Sequence, residues 1–211
     1  GYVFNENTNV GVSYSKRINR PSLRRLNPFL ELDDFNFRFF GNPELKSAFT
    51  DAIEVSVLLN GSKFTLNPSI YYSHTTNSVQ FYTTQNEEGV FETGAFNLDE
   101  EKRMGVELSA SYNPLKWLSF NGDFNMYRFS QEGFIGARNL EFDDNTWFTT
   151  LSSRIKFNQG ITFQGRFYYR GKSGDAQSIV KAVSYVNMGV SKKLFENRGS
   201  LALNVYNVFN S

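Results

Sequence analysis

Apolar and polar residues alternate with a period of two along most of the chain. In the first clear example, Val10, Val12 and Tyr14 alternate with small and polar residues. The pattern returns over residues 52–59 and is then repeated almost to the end of the chain. Successive side chains of a β-strand point to opposite faces, so this period predicts strands with one apolar and one polar face. The sequence therefore predicts an all-β protein built as an antiparallel meander of about nine or ten strands.

The connections between the predicted strands alternate in length. Short turns are predicted near Asn60, Asn113, Asn158 and Asn197, and a hairpin tip is predicted at residues 85–89. Asn60-Gly61 predicts a type I′ turn, in which both central residues need positive φ. Pro68 predicts a local bulge or a missing ladder bond, because proline has no N–H to donate. The predicted long connections cover residues 19–50, 75–101, 129–144 and 171–182.

The alternation of short turns and long loops is typical of transmembrane β-barrels. Several predicted strands have about ten or more residues, as a strand that crosses a membrane needs, whereas soluble sheets have about five or six. Aromatic residues lie near the strand ends on the apolar face, where girdles at the membrane interfaces would place them. They are Tyr72, Tyr112, Trp117, Trp147, Phe157 and Tyr169. A soluble β-sandwich, whose strands also alternate, remains the alternative.

Composition excludes several other classes of protein. The chain has 211 residues, of which 22 are Phe and 11 are Tyr, and it has no cysteine. Disulfides, thiol catalysis and cysteine-based metal sites are therefore excluded. No run of about 18 apolar residues occurs, which excludes a transmembrane helix. The net charge is +1 and the basic residues are dispersed, so a nucleic-acid partner is not expected.

The first long connection contains four phenylalanines that are candidates for binding a substrate. Aromatic side chains are common in ligand sites, so an aromatic patch in a loop is a reasonable place for a substrate contact. Equally, these residues could pack an extension of the sheet into the loop, and the sequence leaves both interpretations open. The four residues are Phe35, Phe37, Phe39 and Phe40.

Charged residues in the loops are weaker candidates for function. Acidic runs could together bind a divalent cation, which prefers oxygen ligands, but solvated loops are the favoured interpretation. They are Asp33-Asp34, Asp99-Glu100-Glu101 and Asp143-Asp144. The single histidine, His74, could bind a metal or sense pH, but a plain interfacial position is favoured.

A basic cluster at the junction of the first strand and loop could meet lipopolysaccharide or an anionic substrate. A structural role with nearby acidic groups is favoured. The cluster consists of Arg17, Arg20, Arg24 and Arg25. No nucleophile, base and orienting residue form a recognisable set, and no phosphate loop occurs, so we expect neither an enzyme nor a resident cofactor or metal.

Several short motifs resemble one family of outer-membrane proteins. The series Arg20-Pro21, Asn27-Pro28 and Gly41-Asn42-Pro43 is similar to the barrel of TonB-dependent outer-membrane receptors, in the branch with an outer membrane protein beta-barrel domain. Residues 103–109 resemble its "GxEL" strand, residues 112–118 its short turn, and residues 204–210 its near-C-terminal "DVFN" segment. After Leu45-Lys46 the family often has Pro-Glu, whereas this chain has Ser47-Ala48.

The resemblance implies that residues 1–211 form part of a barrel of about 22 strands in the outer membrane. It also implies a plug domain and a TonB-engaging segment, which we expect to lie outside this chain, since the chain starts without a signal peptide and ends without a closing element. The expected function is uptake of a nutrient such as a siderophore, glycan or peptide, with contacts to lipid, lipopolysaccharide and the TonB complex. A passive porin-like barrel and a secreted β-sandwich adhesin or glycan-binding module remain alternatives.

Overall fold

The computed structural model describes residues 2–29, 31–34, 37–196 and 198–209. Nearly all of its regular structure is β-strand, as the sequence predicts. Among the described residues, no helix has both the length and the hydrophobicity needed to cross a membrane. In chain order the elements are β1 (Tyr2–Asn5), β2 (Thr8–Asn19), α1 (Leu23–Leu26), β3 (Glu31–Asp34), β4 (Phe37–Phe40), β5 (Ala48–Asn60), β6 (Phe64–Thr76), β7 (Val79–Gln85), β8 (Phe91–Asn97), β9 (Glu100–Leu115), β10 (Leu118–Glu132), β11 (Phe134–Ile135), β12 (Arg138–Asn139), β13 (Phe142–Lys156), a 3₁₀ turn (Asn158–Gly160), β14 (Ile161–Arg170), β15 (Ser173–Gly174), β16 (Ile179–Val180), β17 (Val183–Leu194) and β18 (Gly199–Val205).

Ten of the strands form one antiparallel meander, which we call the wall. Its order is β1-β2-β5-β6-β9-β10-β13-β14-β17-β18, so each wall strand pairs with the next wall strand along the chain. Strands β1 and β18 form the two edges. The predicted meander and strand number are confirmed, and the inner strands, at 10 to 16 residues, are longer than those of ordinary soluble sheets.

The wall has an apolar face and a polar face because its register keeps like residues side by side. One row of directly paired residues crosses six strands on the apolar face, and large fractions of its members are exposed, for example 65% of Val12 and 58% of Ile70. A contiguous exposed apolar surface of this size marks a face that contacts nonpolar surroundings. The row is Val12, Val55, Ile70, Val106, Met126 and Trp147.

The aromatic residues of the apolar face lie in two tiers. Tyr112, Trp117 and Phe157 lie beside the short turns, and they are between 48% and 55% exposed. The other tier, which we call the upper aromatic tier, lies toward the long connections, and its Trp147 and Tyr169 rings are 4.2 Å apart between centroids. We call the apolar surface between the two tiers the apolar belt. Tiers of aromatic rings at two levels of an apolar wall are the arrangement expected at the two interfaces of a membrane.

Apart from the turn near Asn113, the short turns lie where the sequence predicts them, but the conformation predicted for the turn at Asn60 is not the observed one. Gly61 has no positive φ, so the predicted type I′ turn at Asn60-Gly61 is wrong. Gly61 instead leaves room for the Phe64 ring, with which a Cβ atom would collide. The left-handed pair that a type I′ turn requires occurs at Gln159 and Gly160, with φ values of 65° and 73°.

Two prolines lie inside wall strands. Pro68 pairs with Leu108 on one side, and on the other side the ladder bridges with β5 are missing at Pro68 and Asn67, without a shift of register. The predicted missing bond is therefore confirmed and the predicted bulge is not. Pro114 lies in β9, so the turn predicted at residues 113–116 is displaced and comprises Lys116 and Trp117.

The long connections carry structure of their own. The first two contribute a second sheet in the order β3-β4-β8-β7, which we call the loop sheet. Strands β4 and β8 pair in parallel, so the two loops share a ladder. The predicted hairpin tip is confirmed between β7 and β8, where Gly89 has a φ of 82°. The third connection is shorter than predicted, because the β10–β13 ladder continues to Gln131 and Phe142.

Candidate functional site

Three of the four candidate phenylalanines belong to strand β4 of the loop sheet. Phe39 in β4 is 8% exposed, and its ring centroid lies 5.9 Å from that of Phe81 in β7. Phe37 and Phe40 are half-buried, and Phe35 lies outside the described residues. Phe39 therefore packs the interior of the loop sheet, whereas Phe37 and Phe40 keep part of their surface accessible.

The basic cluster meets these aromatic rings. The Arg24 guanidinium lies 5.1 Å from the centroid of the Phe39 ring, and the Arg25 guanidinium lies 5.0 Å from that of Phe81. Guanidinium groups at this distance over a ring are attracted by its negative face. The two arginines, which lie within α1, therefore help to fix the first loop on the loop sheet.

The Asn-Pro and Gly-Asn-Pro motifs contact each other in the first loop. The backbone N–H of Asn42 donates to the carbonyl oxygen of Arg25 over 2.7 Å. A Cβ atom at Gly41 would collide with the Asn27 carbonyl and lie 2.7 Å from the Asn27 nitrogen. The motif thus needs glycine because two backbone segments approach closely, a reason that the sequence alone does not reveal.

Adjacent acidic residues separate onto opposite faces of the wall. Asp143 lies on the apolar face, where Arg128 donates bidentate hydrogen bonds to it over 2.7–3.0 Å. Asp144 points to the polar face. Glu100 and Glu101 separate in the same way, so neither pair acts as one ligand group. The side chains of Asp33 and Asp34 lie outside the described residues.

No group of three His, Asp or Glu side chains in the described part of the chain could hold a metal ion. His74 Nε2 lies 2.9 Å from Glu100 Oε2, and Lys102 Nζ contacts the other oxygen of the same carboxylate. Glu100 lies beyond the upper aromatic tier, outside the apolar belt. Hydrogen bonds from Lys102 and His74 hold the pKa of its carboxyl below the ordinary value.

A recess of about 380 Å³ and a recess of about 270 Å³ open on the polar face at opposite ends of the wall. The smaller one, which we call the mouth recess, lies below the long loops. It collects side chains from the second loop, β9, β10, β13 and the fourth loop. Its lining includes Gln80, Glu101, Arg103, Tyr127, Phe129, Gln131, Asp144, Thr146 and Asp175.

Arg103 is the one positively charged residue in the described lining of the mouth recess. Its guanidinium lies 4.9 Å from the Tyr127 ring centroid and 5.3 Å from that of Phe129, and it lies 3.8 Å from Glu101. Its Nε atom is buried without a hydrogen-bond partner, as is the hydroxyl of Thr146, a residue that is 9% exposed. Buried polar atoms are nearly always paired, so these two lack partners that a water or a bound group could supply; Arg38 Nε, outside the recess, lacks one as well.

The mouth recess is acidic overall. Glu101, Asp144 and Asp175 give three negative charges against the one positive charge of Arg103, which leaves a formal charge of −2. Such a recess favours cationic or hydroxyl-bearing groups over anions. In the sequence, Arg103 lies only in the strand motif of residues 103–109 and Thr146 lies in no motif, so neither was a candidate for binding. The β9–β10–β13 ladder brings the two residues to the same part of the polar face.

Single side chains connect the loops above the mouth recess. The side-chain amide of Gln177 in the fourth loop exchanges hydrogen bonds with the backbone of Thr83 in β7, over 3.4 Å and 3.3 Å. The Arg138 guanidinium in the third loop lies 5.3 Å from the Tyr82 ring centroid. The second loop, with its hairpin, is therefore held from both sides over the recess.

Comparison with known proteins identifies the wall. The outer membrane protein beta-barrel family matches residues 1–211. No curated protein matches the sequence. Among solved structures, the siderophore receptor PirA from Pseudomonas aeruginosa is similar with a TM-score of 0.76 and 13% identity, over 99% of this chain and 37% of that one.

Two further structures share the same fold. A ferric enterobactin receptor (PfeA) from Pseudomonas aeruginosa has a TM-score of 0.69 and 12% identity over 99% of this chain and 33% of its own. The copper transporter OprC has a TM-score of 0.72 and 13% identity over 97% of this chain and 32% of its own. The chain thus spans about a third of the length of these proteins, and at this identity the likeness shows the fold alone.

Proposed function

Because the chain belongs to the outer membrane protein beta-barrel family, we propose that it forms the C-terminal part of the barrel of an energy-coupled nutrient receptor. The apolar face then contacts lipid and the polar face lines the lumen. The long loops face the exterior and the short turns face the periplasm. A plug domain in the lumen and coupling to TonB belong to the same proposal, which includes no chemical change of the nutrient.

The surroundings of the wall follow from this orientation. Ion pairs on the apolar face lie just beyond the upper aromatic tier, among them Lys16 with Asp51 at 3.6 Å and Arg128 with Asp143 at 2.7 Å. In the outer membrane this level corresponds to the headgroups of lipopolysaccharide. We include lipid and lipopolysaccharide among the partners for that reason.

The names of the similar structures support uptake but leave the nutrient open. They are a siderophore receptor, a ferric enterobactin receptor and a copper transporter. The cargo of the present chain is proposed as a siderophore, glycan or peptide. The net negative charge of the mouth recess favours a cationic or hydroxyl-rich cargo among these classes.

The proposed site of nutrient binding is the mouth recess, because it lies on the lumen side below the loops and contains two buried polar atoms without partners. We propose that it contacts the nutrient first. Phe37 and Phe40 remain proposed contacts, and so does Phe35 outside the described residues. Phe39 is proposed to act by holding the loop sheet above the recess.

Uptake by cells that express the full-length parent receptor tests energy coupling. Ferric siderophores, oligosaccharides and peptides are each supplied as the limiting nutrient, with TonB present or deleted. We expect growth on one of these classes that needs both the receptor and TonB. Non-saturable entry that persists without TonB would contradict energised uptake and support a passive channel.

Variants of neighbouring aspartates test the mouth recess. In the parent receptor, Asp144→Asn should weaken the apparent affinity for the transported nutrient about tenfold, as expected for the loss of one charge-assisted hydrogen bond. Asp143→Asn is the matched control, because it removes the same charge one residue away on the apolar face. Equal effects of both changes would contradict a site at the recess.

A further inference from the structure

We propose that the polar face of β13 and β14, near the short turns, binds an anionic group, either a carboxylate or a phosphate. The site is centred on Arg154 and Arg166. Arg154 lies opposite Gln164 in the β13–β14 ladder, and Arg166 lies opposite Ser152. The two arginines are therefore diagonal neighbours on one face, a separation that long side chains can span.

No described residue neutralises these arginines. Of the carboxylates that the structure describes, none lies within the 4.0 Å ion-pair distance of either arginine. A further cation on the same face and near the same turn, Lys156, is equally unpaired in the described part of the chain. In contrast, several cations near the long loops form an ion pair with a carboxylate. These are Lys16, Arg38, Lys102, Arg103 and Arg128.

The recess of about 380 Å³ lies between the two arginines, and we call it the deep recess. Its one carboxylate, Asp123, accepts a hydrogen bond from the Ser109 hydroxyl over 2.8 Å. The remaining polar lining includes neutral amides and hydroxyls that can donate hydrogen bonds. Among them are Asn121, Thr150, Ser152, Gln164, Asn187 and Asn204.

A glycine shapes the floor of the deep recess. A Cβ atom at Gly189 would lie 2.6 Å from Asn204 Oδ1, so the Asn204 side chain lies across the position where a side chain at residue 189 would stand. The Asn204 amide therefore takes the place of a side chain at residue 189 and lines the recess together with Arg154 and Arg166. An anion in the recess would lie beside both guanidinium groups and this amide.

Charge and donor geometry select the ligand. Two guanidinium groups against one carboxylate give the lining a formal charge of +1, opposite in sign to that of the mouth recess. The planar fork of a guanidinium matches the oxygen geometry of carboxylate and phosphate. The anionic group comes either from a solute in the lumen or from an acidic side chain of a polypeptide that fills the lumen. The site depends neither on the identity of the nutrient nor on energy coupling.

Binding of citrate and of inorganic phosphate to the purified full-length parent receptor tests the solute source. The double variant Arg154→Gln/Arg166→Gln should bind the preferred anion at least about tenfold more weakly, because two charge-assisted hydrogen-bonding groups are lost. The control Lys116→Gln/Lys192→Gln removes the same charge outside the recess and should bind as the unchanged receptor does.

Zero-length carbodiimide cross-linking of the unchanged receptor tests the polypeptide source. A carboxylate seated in the site should be joined to Lys156 and identified by mass spectrometry, whereas Lys192, on the other face, should not react in this way. Either specific anion binding or a Lys156 cross-link supports the site and assigns its source. If the unchanged receptor shows neither, the arginines form a solvated surface and the proposal is overturned.

Discussion

The hydroxyl oxygen of Tyr71 lies over Gly105. If residue 105 had a side chain, its Cβ atom would lie 2.7 Å from that oxygen. The two residues are direct partners in the β6–β9 ladder. The hydroxyl donates to Asn125 Oδ1 in β10 over 3.3 Å, so the Tyr71 side chain crosses the intervening strand. One side chain thus ties three strands together on the lumen side, and it can do so because position 105 has no side chain.

Gly105→Ala should therefore destabilise the wall. The added Cβ atom would lie 2.6 Å from the Met126 carbonyl oxygen and 2.7 Å from Tyr127 Cβ, in addition to displacing Tyr71. Overpacking of this kind lowers the free energy of unfolding by about 1–3 kcal/mol. Urea unfolding of the parent receptor in detergent measures the change. Gly94→Ala is the control, since nothing lies within 4 Å of its Cβ position, and equal losses in both variants would count against the account.

Gly41→Ala should loosen the first loop and leave the wall intact. Its Cβ atom would collide with the backbone of Asn27, so the two motif segments would separate. We expect faster proteolysis of the parent receptor within residues 20–47 and an unchanged urea midpoint for the wall. Ser47→Ala in the same loop serves as the control. Unchanged proteolysis of Gly41→Ala would show that the close approach is not needed.

The Arg128–Asp143 bridge should make a small, pH-dependent contribution to stability. Hydrogen bonds from Arg128 hold the pKa of Asp143, which lies beyond the apolar belt, below its ordinary value of 3.8. Its stabilisation is therefore present at neutral pH and is lost as the pH falls through that lowered pKa. Both side chains are exposed, so the effect is modest.

The measurement compares Asp143→Asn with the unchanged parent receptor. Asp143→Asn should lower the unfolding midpoint slightly at neutral pH, and the two proteins should converge in acid. A difference that grows as the pH falls would have the wrong sign and would exclude this role for the bridge.

The chain of residues 1–211 by itself should not form a stable monomer. Strands β1 and β18 have unpaired edges in the described wall, and one face is apolar. Unpaired edges are costly in lipid and promote aggregation in water. Size-exclusion chromatography of the chain in plain buffer should show aggregates. A monodisperse monomer that unfolds cooperatively would support the β-sandwich alternative.

The wall was predictable because one face contacts nonpolar surroundings and the register must preserve it. A slip of one residue would turn every apolar side chain of a strand to the polar face, so alternation fixes both strands and faces. The alternation of apolar and polar residues is lost where both faces of a strand are polar. For that reason the β10–β13 ladder continues beyond the predicted boundaries at Phe129 and Asp144, and adjacent acids such as Asp143 and Asp144 looked like one loop cluster.

The mouth and deep recesses were not predictable, because their residues come from strands far apart in the chain. Arg103 and Asp175 meet only after the second and fourth loops close over the wall. The parallel pairing of β4 with β8 could not be predicted from neighbouring residues, because it joins two loops that are far apart in the chain. Gly41 and Gly105 were visible in the sequence, but the reason for each glycine is a contact with a distant segment.

Single cysteines test the central claim that this wall crosses a membrane with one face to lipid and one to the lumen. The chain has no cysteine, so spin labels can be placed singly at residues 106–109 of β9 in the parent receptor, freed of any other cysteine and reconstituted in bilayers. Labels at Val106 and Leu108 should collide with oxygen dissolved in lipid, and labels at Glu107 and Ser109 should collide with a water-soluble nickel chelate instead. Access of the chelate to all four positions would contradict the account and indicate a soluble sheet.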